Sequence, residues 1–146
     1  MSALENHSNR ATAEAIIAAY RGDDGHGLDM LEHLLDEAVV TTDWMYPGET
    51  LVGRAAFVER VLVEAGAAFP DATEEIISTT FDGETLVVRA QFGATFSGPY
   101  YGLAPHFGPL SWQIVDHWHL EGGRIVRIAF AADTANAHRQ LGIADH

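Results

Sequence analysis

The stretch SWQIVDHWHL at Ser111–Leu120 alternates polar and apolar side chains, which is the pattern of a half-buried β-strand. One face is apolar except for a single carboxylate, and it carries Trp112, Ile114, Asp116, Trp118 and Leu120. The other face carries Ser111, Gln113, Val115, His117 and His119. A carboxylate on an apolar face needs a hydrogen-bond partner, a shifted pKa or a chemical role. We therefore expect the rest of the chain to be built around the Asp116 face of this strand.

The totals of the sequence restrict what the chain can be. Its 146 residues, 47% hydrophobic and 20% charged, are typical of one globular domain that buries a full core. A net charge of −13 argues against nucleic acid or an anionic membrane as a partner, because both require basic surfaces. The chain has no cysteine, and all 8 basic residues are arginine. These absences exclude disulfides, cysteine metal sites, thiol nucleophiles and lysine Schiff bases.

The N-terminal segment MSALENHSNR is polar and lacks the basic-then-apolar pattern of a secretion signal. No apolar run in the chain reaches membrane-spanning length. We expect residues 1–10 to be disordered or frayed and residues 11–146 to form a single domain. A cytoplasmic location is the default expectation for such a chain.

Hydrophobic spacing divides the chain into helical and extended segments. The predicted helices are Ala11–Tyr20, Leu28–Glu37, Gly53–Ala68 and Ala135–Leu141. The predicted strands are Ala38–Tyr46, Thr73–Phe81, Thr85–Ser97, Ser111–Leu120 and Arg124–Ala132. This order predicts an α+β fold, in which a strongly bent antiparallel sheet wraps around three to four helices. A sheet that curls round its apolar faces encloses a cone-shaped cavity.

Several segments, in this order and spacing, resemble motifs of the SnoaL-like polyketide cyclases, which have the nuclear-transport-factor-2-like fold. They are LVGRAAF at Leu51–Phe57, FPD at Phe69–Asp71, ATFSGPYYGLAP at Ala94–Pro105, DHWHLEGGRI at Asp116–Ile125, and ADT with RQLG within Ala132–Gly142. The resemblance implies a cone-shaped α+β barrel and a cofactor-free cyclase of polyketide-type secondary metabolism, such as antibiotic biosynthesis. It also implies a homodimer that binds a polycyclic or polyketide-like small molecule.

The chain departs from this family at the usual acid/base position. Many members carry an aspartate on the last strand, and by spacing that position falls on Phe130. Two family histidines fall on Ile128 and Phe96. The expected fold is unaffected, but related reactions on the same fold stay open, namely cofactor-free hydroxylation, ketone isomerisation and epoxide opening. A ligand-binding protein that has lost catalysis is a further alternative.

Asp116 is the leading candidate for an acid/base residue, because burial between two tryptophans raises a carboxyl pKa toward the useful range. The alternative is a structural carboxylate held by a tyrosine, tryptophan or backbone donor. Tyr46 is a candidate for binding a carbonyl or enolate oxygen, and His106, in a loop over the expected cavity mouth, for relaying a proton. Core packing and a solvated loop position are the ordinary alternatives for these two. Asp43 has the opposite parity to Tyr46 and is expected to face outward.

The expected ligand-binding wall is aromatic and aliphatic, as suits a flat ligand. Its members are Trp44, Phe92, Phe96, Tyr100, Trp112, Ile114, Trp118, Ile128 and Phe130. His117 and His119 lie on the outer face, where we expect structural or subunit-interface roles, because a metal site would lack a third good ligand. No metal and no cofactor are expected.

Overall fold

The computed structural model describes residues 3–22, 27–45 and 48–143, with side chains from residue 7 onward. The helices are α1 (Ala3–Arg21), a 3-10 helix (Gly27–Leu34), α2 (Arg54–Phe57), a π-helix (Val58–Glu64), α3 (Ala65–Ala68) and α4 (Thr134–Leu141). The strands are β1 (Leu35–Asp43), β2 (Leu51–Val52), β3 (Thr73–Phe81), β4 (Thr85–Thr95), β5 (Pro109–Glu121) and β6 (Arg124–Ala132). The α+β fold class is confirmed.

The strands form one sheet in the order β2-β1-β6-β5-β4-β3. The edges are β2 and β3, so the sheet curves around the helices without closing into a complete barrel. Neighbouring strands are antiparallel, except that β1 and β6 run parallel. The prediction of an all-antiparallel sheet is wrong at this one pair. The helices after β1 carry the chain across the fold, and the meander from β3 to β6 then returns beside β1 in the same direction.

Strand β5 organises the sheet, as its alternation predicts. Side chains along it alternate between buried and more exposed from Leu110 to Leu120, and Asp116 lies on the buried face. The neighbouring strands present their apolar residues to the same side, with Val88 of β4 and Phe130 of β6 in register with Asp116. Helix α1 packs across this concave face, in contact with β3, β5 and β6.

The expectation of a frayed segment over residues 1–10 does not hold for residues 3–10, because α1 begins at Ala3. Asn9 explains the order of this helix, since its side chain is 1% exposed and connects two turns of the sheet. Its amide nitrogen donates to the carbonyl oxygens of Gly83 and Leu120, and its Oδ1 accepts from the Gly123 nitrogen at 2.9 Å. A buried amide with these partners fixes α1 against the β3–β4 and β5–β6 turns.

Two predicted helices differ in form from the structure. Residues 28–37 do not make one helix, because the 3-10 helix ends at Leu34 and β1 begins at Leu35. The Leu35 carbonyl accepts hydrogen bonds from the guanidinium groups of Arg54 and Arg124, which take the place of a helical backbone donor. The segment predicted as one α-helix over 53–68 is helical, but its middle third, Val58–Glu64, is a π-helix. Such wider turns occur frequently at functional sites.

No helix in the described ranges is long and apolar enough to cross a membrane.

Candidate functional site

A cavity of about 960 Å³ lies between the concave face of the sheet and the helices. Its aromatic wall comes from β4, β5, β6 and the loops, and includes Trp44, Phe69, Phe92, Tyr100, Trp112 and Phe130. Phe92 and Trp112, neighbours across β4 and β5, have ring centroids 4.9 Å apart, and Phe69 packs edge-on against Tyr100 at 4.8 Å. The wall is therefore a continuous aromatic surface of the kind that buries flat ligands.

Most of the residues predicted to bind a ligand line this cavity, namely Trp44, Phe92, Tyr100, Trp112, Ile114 and Phe130. Three others, Phe96, Trp118 and Ile128, are fully buried and lie outside the lining. Phe96 packs against Phe69 and the His106 ring, and Trp118 packs against Phe130 from behind. Strand parity placed all three on the inner face, but other side chains cover two of them: Tyr20 of α1 lies against Trp118, and Phe69 and His106 lie against Phe96.

Asp116 lies in the cavity wall and is 4% exposed. Its Oδ2 lies 2.5 Å from the hydroxyl of Tyr20, which reaches the sheet from the last turn of α1. The indole Nε1 of Trp118 donates to the same Tyr20 hydroxyl oxygen at 3.0 Å. Trp118 is two residues from Asp116 on the same face of β5, so both side chains point toward α1. The three groups form one hydrogen-bonded unit. We call Tyr20 and Asp116 the Tyr20–Asp116 pair, and Trp118 is a donor to it.

The surroundings favour the neutral forms of both members of this pair. Burial raises the pKa of Asp116 well above its ordinary value, and the nearby charges of Glu74 and Asp43 raise it further, against the lowering effect of the Tyr20 hydrogen bond. Burial also raises the pKa of Tyr20, with the charges of Asp116 and Glu74 adding to it. Asp116 therefore keeps its proton to higher pH than an ordinary carboxyl group does, and in that protonated form it can share or donate the proton.

Glu74 is a second carboxyl group in the cavity, and the sequence patterns did not identify it. It lies on the edge strand β3 in register with Phe92, one of the inward residues of β4. Burial raises the pKa of Glu74 to about 7. The β3 sequence EEII places a glutamate and an isoleucine on each face, so alternation alone does not decide which glutamate points inward.

Asp43 also lines the cavity, which corrects the prediction that it faces outward. It is in register with Phe130 of β6, so the inward residues of β1 are Val39, Thr41 and Asp43. Trp44 reaches the cavity because the strand ends before it and the chain turns. The oxygens of Asp43 accept from the Met45 nitrogen at 3.0 Å and from a neighbouring tyrosine hydroxyl, that of Tyr101, at 3.2 Å.

Burial raises the pKa of Asp43, against the lowering effects of these two hydrogen bonds and of the Arg60 charge. Arg60 lines the cavity from the π-helix, and its guanidinium lies 3.9 Å from Glu49. A basic side chain thus lines the cavity together with the carboxyl group of Asp43.

The model of the SnoaL-like polyketide cyclase family matches residues 11–141. The chain belongs to this family. Among proteins with curated descriptions, no sequence match is found. Solved structures of the same fold include a provisionally described SnoaL-like polyketide cyclase from Jannaschia sp. CCS1, which is 16% identical with a TM-score of 0.79 over 99% of this chain and 98% of that one.

Two further structures are similar at comparable levels. AclR from Streptomyces galilaeus, provisionally described as a hydroxylase, is 19% identical with a TM-score of 0.73 over 93% of this chain and 85% of that one. TerC, co-crystallised with polyporic acid, is 17% identical with a TM-score of 0.66 over 90% of this chain and 98% of that one. These likenesses establish the fold that this SnoaL-like chain shares with them.

The family position expected to hold the acid/base aspartate, Phe130, is in register with Asp116 on the next strand and lines the cavity. In this SnoaL-like protein the ionisable groups of the cavity therefore come from other elements. Among those named above, Tyr20 gave no sequence signal beyond its place in the apolar stripe of a helix. Its contact with Asp116 depends on the packing of α1 against β5, which the sequence pattern does not reveal.

The other predicted site residues lie elsewhere. His106 is exposed and outside the cavity lining, because its Nε2 lies 2.7 Å from the Gln140 carbonyl oxygen and its Nδ1 accepts from the Gly108 nitrogen. These contacts give the prediction of a proton relay no geometric support. Tyr46 lies outside the described residues. His117 is on the outer face as predicted, and His119 Nδ1 lies 3.0 Å from the Thr85 hydroxyl. In the described part of the chain, no three His, Asp or Glu side chains come together as metal ligands.

Proposed function

We propose that this SnoaL-like protein is an acid–base enzyme that forms an enolate from a flat, polyketide-type ketone and directs its ring closure. The observation that carries the proposal is the Tyr20–Asp116 pair in the wall of an aromatic cavity. A buried carboxyl group that is hydrogen-bonded to a phenol retains its proton and can act as a general acid. Of the two roles that the sequence leaves open for Asp116, acid or base, we therefore propose the acid.

The hydrogen-bond count supports the acid role. With Asp116 protonated, it and Tyr20 hold two O–H groups, and the contact between them uses only one. Trp118 donates to the Tyr20 oxygen and so favours a Tyr20 proton that points away from the indole. One O–H is left for a third oxygen. A substrate carbonyl in the cavity supplies such an oxygen.

Enolate formation uses this donor directly. A base removes a proton from the carbon next to the carbonyl, the C–H electron pair becomes the C=C bond, and the carbonyl electrons move to oxygen. The Tyr20–Asp116 pair stabilises that oxygen as charge develops on it, an effect worth about 100- to 1000-fold in rate for one donor in comparable sites. In ring closure, the enolate carbon then attacks a second carbonyl of the same molecule.

The cavity supplies the second requirement, which is a folded substrate. Aromatic walls hold flat groups without charge, and a volume of about 960 Å³ fits a molecule of several rings. Holding two reactive carbons of one substrate molecule close together removes much of the entropic contribution to the activation barrier of ring closure. The co-crystal of TerC with polyporic acid supports a small organic molecule as the ligand of this fold.

The test uses 2-tetralone, a bicyclic ketone with acidic C1 protons, as a probe in D₂O. Proton NMR follows the loss of the C1 signal near neutral pH, where enzyme-catalysed enolate formation exchanges hydrogen for deuterium. We expect the wild-type protein to accelerate exchange at least tenfold over buffer containing the same concentration of heat-unfolded protein. Binding of the probe without faster exchange would contradict the proposal and favour a binding protein that has lost catalysis.

We also propose that the outer face of β5 forms a homodimer interface, as the family resemblance implies. This face offers the exposed side chains of Gln113 and His117, with the Gln113 amide oxygen held by Arg89 at 3.1 Å. Sedimentation velocity at micromolar concentration should give a dimer. The charge-introducing variant Val115→Asp should shift it to monomer, and a monomeric wild type would contradict the assignment.

A further inference from the structure

Glu74 reaches the cavity because of a defect in strand pairing. From Phe81 back to Ser78, β3 pairs with β4 in the register set by the hairpin turn, in which Ser78 lies opposite Arg89. The register then shifts by one residue, so that Ile76 lies opposite Ala90. Without this bulge, the residue opposite the inward-facing Phe92 would be Glu75 instead of Glu74. Bulges that re-aim a side chain are over-represented next to active sites.

Three of the carboxyl groups that line this cavity are withdrawn from solvent, namely Asp43, Glu74 and Asp116, whereas Asp29 and Glu75 of the same lining are exposed. Of these three, Glu74 is the one that has no protein partner in the described part of the chain. Asp116 is bonded to Tyr20, and both oxygens of Asp43 accept hydrogen bonds. Burial raises the pKa of Glu74, and no hydrogen bond or ion pair from the described residues offsets that effect. A desolvated carboxyl group left open toward a cavity is available to a ligand.

Charge links Glu74 to the Tyr20–Asp116 pair. An ionised Glu74 raises the pKa of Asp116 and that of Tyr20, so it holds their protons in place. Ionisation of Glu74 therefore favours a retained proton on Asp116. A cavity with an ionised Glu74 and a protonated Asp116 holds an acid and a base at the same time.

We propose that Glu74 is the catalytic base of this cavity, and that its carboxylate removes the proton from the substrate carbon whose carbonyl oxygen is bound by Tyr20 and Asp116. The inference rests on the proposed enolate-forming function. The proton moves from carbon to a Glu74 oxygen, the C–H electron pair forms the enolate, and Glu74 returns a proton to the product or to water. No oxidant, reductant or further reactant is needed.

Asp43 is the competing base, and its contacts argue against it. Its two hydrogen bonds, from Met45 and Tyr101, and the Arg60 charge all stabilise the carboxylate and lower its basicity. The titratable and charged groups that share the cavity lining with Glu74 are Tyr20, Asp43, Arg60 and Asp116, together with the exposed side chains of Arg21, Asp29 and Glu75. Among the carboxyl groups of this lining that are withdrawn from solvent, Glu74 is the one to which no described residue donates a hydrogen bond.

The experiment compares the wild type with four variants in the 2-tetralone exchange assay. Glu74→Gln should lose roughly 100-fold of the wild-type rate, because general bases contribute factors of this order. Glu74→Asp should retain a measurable rate that still rises with pH, as the wild-type rate should do through about pH 7, the pKa of Glu74. Asp43→Asn should lose less than Glu74→Gln. Glu84→Gln, an exposed glutamate of the same hairpin, is the matched control and should keep the wild-type rate.

The outcomes separate the two proposals. If exchange depends on Asp116 and Tyr20 but survives in Glu74→Gln, or if Asp43→Asn is the variant that abolishes it, the assignment of Glu74 is overturned and the enolate function stands. If the wild type gives no exchange, both are overturned. Circular dichroism of each variant confirms folding. If Glu74→Gln does not fold, the pH profile of Glu74→Asp decides: an unchanged rate and profile overturn the assignment.

Discussion

The hydroxyl of Tyr20 and the carboxyl of Asp116 lie 2.5 Å apart and join the last turn of α1 to the central strand β5. Both groups are buried, and the pKa of each is raised by that burial and by acidic neighbours. The contact therefore has a structural role, since it stabilises the packing of the helix on the sheet. It also has a chemical role, since the pair can donate a proton. The first role predicts effects on stability, and the second predicts effects on rate.

Removing the Tyr20 hydroxyl should destabilise the fold. In Tyr20→Phe, Trp118 Nε1 loses its acceptor and Asp116 its partner, and leaving buried polar groups unsatisfied costs about 1–3 kcal/mol. Urea denaturation near neutral pH measures the loss. Tyr101→Phe is the control, since its hydroxyl bonds half-buried Asp43 at 3.2 Å. Equal losses in the two variants would contradict the special position of Tyr20.

Glu74 should make the protein less stable as pH rises. The unfolded chain releases this proton near 4.5, whereas the folded protein keeps it until about 7. Between these values the folded state binds more protons, so the free energy of unfolding falls with rising pH. The contribution is fully present below 4.5 and is lost by about 7. Asp116, with its raised pKa, acts in the same direction.

Glu74→Gln tests that sign, because glutamine keeps the shape and removes the titration. The melting temperature of the variant relative to wild type should rise as the pH is increased through this window. Glu84→Gln, exposed on the same hairpin, should show a constant difference from wild type. A gap between Glu74→Gln and wild type that does not change with pH would contradict the burial of this carboxyl group.

Asn9 should be a stability residue despite its place near the N-terminus. Asn9→Ala removes the bonds to the Gly83 and Leu120 carbonyls and to the Gly123 nitrogen, and we expect a loss of about 1–3 kcal/mol. Glu14→Ala, an exposed change in the same helix, should stay within about 0.5 kcal/mol of wild type. Both values come from urea denaturation. A neutral Asn9→Ala would mean that α1 does not need this anchor.

Much of the sheet could be read from the sequence, because alternation and turn residues are local signals. The bounds of Thr73–Phe81 and Arg124–Ala132 were predicted residue for residue, and the inward direction of Asp116 followed from the parity of β5. The curvature of the sheet and the cavity followed from the order and the apolar faces of the strands, and the family resemblance implied the same architecture. Trp112, a predicted binding residue, lines that cavity.

The partners of Asp116 could not be read in the same way. Tyr20 meets it only through the packing of α1, which no local pattern encodes. Glu74 faces inward because of a one-residue bulge, and a bulge exchanges the two faces of a strand for every residue beyond it. Asp43 was placed on the wrong face because the parity was counted through Tyr46, beyond the end of β1 at Asp43.

Two substitutions at Asp116, compared in the 2-tetralone exchange assay, test the acid role most directly. Asparagine still donates a hydrogen bond to an enolate oxygen but cannot share a proton, whereas leucine does neither. We predict that Asp116→Leu loses roughly 100- to 1000-fold of the wild-type exchange rate and that Asp116→Asn loses clearly less. Equal loss in both variants would assign Asp116 as a base instead, and wild-type rates in both would contradict any part for it in the chemistry.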